Sequence, residues 1–147
     1  MSNFWKMQML GEKIYCISIV PSVVFTEDSF EEYADAYRGM YDDKKEFLLV
    51  MDARNMESEN VPSWFWPQQY TLTTSQRIRK QQIIGVCVMI GSQGIATLIQ
   101  GFLRMYDTDR PTLVTADNDE ASNWIINLLE SKESKESKES KESKEHQ

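Results

Sequence analysis

Two apolar runs limit what this chain can fold into. Phe47 to Met51 (FLLVM) and Ile83 to Ile90 (IIGVCVMI) are each continuous, too short to cross a bilayer and without the in-out alternation of a half-exposed strand. Runs of this kind are strands covered on both faces, as in mainly parallel sheets. Asp52 follows the first run, at the end where open α/β sheets carry their working loops. The segment Met56 to Trp66 is therefore the expected functional surface. Gly85, inside the second run, predicts close approach by a neighbouring element.

The remaining segments fall around these two runs. Phe4 to Leu10 and Lys13 to Val20 flank Gly11-Glu12, which predicts a β-hairpin with Trp5, Met7 and Met9 on one face, ended at Pro21. Asp28 and Glu31 have the spacing of a capping box. Behind them Phe30, Tyr33, Ala34, Tyr37, Met40 and Tyr41 form a helical stripe, read as core-facing tyrosines whose hydroxyls reach water. A second helix is expected from Pro67 to about Gln82, although only Tyr70, Leu72 and Ile78 supply apolar periodicity. Ile95, Leu98, Ile99, Phe102 and Tyr106 mark a third, and Pro111 to Ala116 a short last strand. Asp117 and Glu120 open a fourth helix with Ala121, Trp124, Ile125, Leu128 and Leu129 on its buried side.

The order is ββαβαβαβα: an α/β fold with a mixed, mainly parallel sheet, an N-terminal β-hairpin and covering helices joined by right-handed crossovers. With 147 residues the chain is sized for one domain, expected over 1–130. Residues 131–147 form a low-complexity tail in which Ser-Lys-Glu repeats five times. It has no apolar side chain to bury, so a solvated tail or a fraying extension of the last helix is expected.

Charge and residue usage narrow the function classes. The net charge of -7 belongs to residues outside the repeat, which holds equal numbers of Lys and Glu. A negative body disfavours nucleic acid and anionic membrane surfaces as partners. Cys16 and Cys87 both fall in strands, which suggests buried, reduced thiols in a cytoplasmic protein. The opening MSNFWKMQML lacks the basic start and longer apolar core of a secretory signal, and stable membrane insertion is not expected. The single histidine, His146, lies in the tail, so no Ser-His or Cys-His pair is available to the body. No metal-ligand spacing or cofactor fingerprint occurs, and the expectation is a non-enzyme without cofactor.

Three features carry sharper alternatives. Trp64-Phe65-Trp66 can serve as a ligand clamp, as a partner-binding patch, or as a lid folded onto the core. Gly91-Ser92-Gln93-Gly94, between a strand and a helix, is a plain turn or an anion site built on Gly91, Ser92 and Gly94. Gln76, Arg77, Arg79 and Lys80 concentrate positive charge where it complements a helix C-terminus or docks an acidic partner.

The hairpin, the strand FLLVMDARNM, the strand IIGVCVMI and the closing unit DNDEASNWI, with helices between them, together resemble the STAS domain over roughly residues 4–129. The resemblance is strongest to its small members, the anti-sigma-factor antagonists and SpoIIAA-like proteins. It implies a non-enzymatic regulatory or scaffolding module that binds a protein partner. In such antagonists the loop after this strand carries Asp-Ser-Ser-Gly, whose serine a kinase phosphorylates; here the region reads Glu59-Asn60-Val61-Pro62-Ser63 and that motif is missing. Ser63 is nonetheless the candidate phosphosite, and Asn60, Ser63, Trp64 and Trp66 are the candidate partner-binding residues. Sec14-like lipid-binding domains resemble the same topology more distantly. They imply the alternative of a small-ligand or lipid binder gated by Trp64 to Trp66, with the glycine turn holding a small anionic ligand or lipid head group.

Overall fold

The structure, a computed structural model, describes residues 4–19, 26–42, 45–56, 61–76, 82–105 and 110–145, with the backbone alone for 102–105 and 133–145. Five strands and four helices follow one another as β1 (Trp5–Gly11), β2 (Ile14–Ile19), α1 (Glu27–Asp42), β3 (Phe47–Ala53), α2 (Phe65–Ser75), β4 (Ile83–Ile90), α3 (Gln93–Met105), β5 (Thr112–Thr115) and α4 (Asn118–Glu145). They build one mixed sheet in which spatial order equals chain order, β1-β2-β3-β4-β5. Only β1 is antiparallel to its neighbour.

The two apolar runs do lie side by side. Val50 of β3 is aligned with Cys16 of β2 on one side and with Cys87 of β4 on the other. Successive side chains of β3 enter different cores: Phe47, Leu49 and Ala53 on one face, Leu48 and Val50 on the other. Each parallel crossover steps the same way across the sheet, so a common hand stacks its helices on a common face. The buried residues of α1, α2 and α3 accordingly share the larger core. The opposite face is left to α4, which lays Ala121, Trp124, Ile125, Leu128 and Leu129 over Cys16, Leu48, Val50, Ile84 and Cys87.

Gly85 is the notch that lets α4 down. A β-bulge accompanies it, for Phe47 pairs with Ile83 but Leu48 with Gly85, leaving Ile84 as the extra residue. A Cβ at Gly85 would stand 2.5 Å from Leu128 Cδ2 and 3.1 Å from both the Trp124 ring and the Pro111 carbonyl oxygen. The same face holds both thiols, free and buried. Two strand spacings separate them, about 10 Å, which is beyond disulfide reach.

Several expectations are corrected in detail. The hairpin turns at Glu12-Lys13, with Gly11 paired to Ile14, and Met9 is 54% exposed while Trp5 and Met7 pack on the core. The first helix starts before Asp28. Its cap is Thr26, whose Oγ1 accepts from the Ser29 N–H at 3.1 Å, so Asp28 and Glu31 form no capping box. Leu98, placed on the buried stripe of α3, is 40% exposed. The second helix begins at Phe65 and ends at Ser75, so Pro67 is its third residue, still among those whose N–H has no intrahelical acceptor. Asp117 does cap α4, its Oδ1 accepting from the N–H groups of Asp119 and Glu120 at 2.8 and 3.3 Å. That helix continues through the Ser-Lys-Glu repeat to Glu145, and Lys132 pairs with Glu46 at 3.0 Å near the point where it leaves the sheet. Pro21, Tyr106 and His146 lie outside the described residues.

Candidate functional site

The inner face of α2 is where the sequence is least conventional. Phe65, Gln69, Leu72, Thr73 and Gln76 recur at helical spacing and all are buried, although three of the five are polar. They face α1, whose Tyr33, Tyr37 and Tyr41 form a ring ladder with successive centroids 6.1 and 5.7 Å apart. All three tyrosines are buried, so the hydroxyls expected to reach water are held in the interior. Burial accordingly drives the Tyr33 and Tyr37 phenols well above their ordinary pKa.

The hydrogen bonds of this stripe fix the direction of one amide. The Thr73 hydroxyl donates its single proton to the Gln69 backbone carbonyl at 2.8 Å. Towards the Gln69 side chain it can therefore only accept, and it does so from Nε2 at 3.0 Å. Gln69 Oε1 must then point away, and among the described residues it has no hydrogen-bond partner. The Tyr33 hydroxyl is likewise buried without one; the Gln69 amide affects its ionisation but lies outside bonding geometry.

Gln69 borders a cavity of about 80 Å³ between α2 and the sheet. Its floor is apolar, laid by Ile17, Leu49, Met51, Val86 and Val88, with Tyr37 and Thr73 beside Gln69 on the helical side. At the carboxyl end of the strands it reaches Ala53, Met56 and Trp66. Met56 is buried and Val61 half-buried against the larger core.

The predicted site residues distribute as follows around that loop. Ser63 is exposed, two residues ahead of α2. Trp64 is half-buried with its ring edge-on to Phe30 at 5.8 Å, and Trp66 is half-buried against Phe65 at 5.2 Å. Phe65 itself is core, seated among Phe4 and Phe30. The triplet is thus one buried anchor between two partly accessible rings. Asn60 lies outside the described residues, as do Arg77, Arg79 and Lys80.

Asp52, at the end of β3, is engaged in structure. Arg54 donates Nε and Nη2 to its two oxygens at 2.9 and 2.8 Å and its backbone N–H at 3.2 Å, and reaches Asn118 of α4 with Nη1 at 3.3 Å. The guanidinium holds the Asp52 carboxyl below its usual range. Gly91, Ser92 and Gly94 are exposed at the start of α3. Ser92 Oγ caps that helix by accepting from the Ile95 N–H at 3.3 Å, and a Cβ at Gly91 would fall on the Arg54 carbonyl oxygen. Helix capping and close backbone approach therefore account for Gly91 and Ser92.

Among the described residues no group of three or more His, Cys, Asp or Glu side chains could hold a metal ion, and no helix is long and apolar enough to cross a membrane. Gln69 and Thr73 were not among the residues singled out by sequence. Their signal was available in the period linking them to Phe65, Leu72 and Gln76, but it is invisible to a search for apolar stripes. No protein-family model matches the chain, and no curated protein or solved structure matches it significantly.

Proposed function

We propose that this chain is a STAS-like regulatory module that binds a protein partner through the segment between β3 and α2, with Ser63 as the residue that switches it. The observation that carries this reading is the setting of Ser63. It is exposed, it precedes a helix whose first turn holds no acidic residue, and the N-cap residue, Trp64, supplies no side-chain capping hydrogen bond. A phosphate there would meet the positive end of the helix dipole. Trp64 and Trp66 follow it as partly accessible aromatics, the residue type that anchors interfaces. The strand and helix order of the chain supports the same family reading.

Incubating the protein with a kinase-containing extract tests the switch. Intact mass should rise by one phosphoryl group in the wild type and not in Ser63→Ala, and the proteins captured by the wild type should be lost with Ser63→Glu. Phosphorylation that persists in Ser63→Ala, or capture that is the same for both variants and the wild type, would remove Ser63 from this role.

A further inference from the structure

We infer that the cavity beside Gln69 is a binding site for a small, mainly apolar molecule that carries one hydroxyl or N–H donor. The walls are mainly aliphatic and aromatic, so they reward an apolar body, and a space of about 80 Å³ takes a molecule of a few non-hydrogen atoms. Of the polar residues in the lining, Tyr37, Asp52, Gln69, Thr73 and Thr112, only Gln69 has, among the described residues, a buried side-chain oxygen without a hydrogen-bond partner. Because Thr73 dictates which way the Gln69 amide faces, the group presented is an acceptor, Oε1. An unpaired acceptor in a residue only 5% exposed costs free energy that a donor restores. A water molecule meets that need poorly, since it is held by two to four polar partners and, among the described residues, no second buried side-chain oxygen without a partner lines the cavity. An amphiphile satisfies Oε1 with its single donor and fills the rest with carbon.

The site also sits where occupancy would be felt. Met56 and Trp66 line the cavity and stand at the two ends of the loop proposed to meet a partner, so a bound molecule presses on both anchors of that loop. Binding itself does not depend on the partner reading: the ligand test can succeed while Ser63 proves inert, and the reverse.

Pyrrole and furan make the test sharp, being five-membered rings of the same shape of which only pyrrole donates. Methyl NMR titrations of the full chain should show saturable shifts at Leu49, Val88 and Met56, with pyrrole bound at least tenfold more tightly than furan. Gln69→Leu should abolish that preference. Thr73→Val, which keeps the side-chain volume but frees the amide to turn, should reduce it several-fold, so the inference stays falsifiable if either variant folds poorly. Absence of saturable shifts with both probes, or equal affinity for the two rings in the wild-type protein, would overturn it.

Discussion

On the α4 side of the sheet a single helix covers four strands, while on the other side three helices share the work; yet it is the second side that contains the cavity and the unpaired amide oxygens of Gln69 and Gln76. The reason lies in what each helix brings. The buried residues of α4 are apolar, and Gly85 removes a side chain where Leu128 and Trp124 come down. By contrast α2 faces the interior with Gln69, Thr73 and Gln76, whose amides and hydroxyls must find partners before they can pack. Close fit depends on matched surfaces rather than on the number of elements. The closely matched face holds the fold, and the face with the polar stripe of α2 holds the cavity.

The largest effect should come from closing the notch. Gly85→Val would drive side-chain atoms into Leu128, Trp124 and the Pro111 carbonyl, costing about 4 kcal/mol or preventing folding, whereas Val88→Ile, which adds a methylene towards the cavity, should stay within about 1 kcal/mol. Urea unfolding of the two variants measures both, and comparable losses would show the two faces to be packed alike.

A second probe uses the thiols of the α4 face. Burial, with Cys16 and Glu120 nearby, pushes the Cys87 thiol from its ordinary 9.0 up to about 11. Between those values the unfolded chain loses the proton and the folded one keeps it, so stability is complete below about pH 9 and declines as pH rises towards 11. The urea midpoint should fall over this window, and less steeply in Cys87→Ala, where Cys16, also raised by burial, still contributes. An identical pH profile for the variant would mean that Cys87 is open to solvent.

Much of this contrast was legible in the chain. Gly85 announced a close neighbour, the two greasy runs announced adjacent buried strands, and Asp117 announced the start of α4. What stayed hidden has a common cause, since hydropathy registers only one kind of buried side chain. The inner face of α2 has a helical period, but its polar members hide it from a hydropathy search, so Pro67 and Tyr70 drew attention away from Gln69 and Thr73. The start of α1 was misplaced because Thr26 caps with a hydroxyl, while the nearby carboxylates of Asp28 and Glu31 match a familiar spacing without closing the bonds. That three helices share one face follows from chain order across the sheet, a fact that appears only once the strands are paired.

A smaller effect, of opposite sign to most core substitutions, is expected at Gln69. Replacing it by leucine removes the orphan acceptor and leaves the Thr73 hydroxyl bonded to the backbone carbonyl, so Gln69→Leu should stabilise the protein by about 1 kcal/mol. Destabilisation beyond about 1 kcal/mol in thermal unfolding would show that Oε1 is satisfied in solution and that the polar stripe is as settled as the α4 face.

The division between a fixed and an adaptable face is tested most directly by native-state hydrogen exchange. Amides of β3, β4 and the first three turns of α4 should exchange only through global unfolding, and those of residues 65–76 through a separate opening at lower free energy. If α2 proves as protected as the central strands, or if α4 opens first, the account is wrong about which side of the sheet can move.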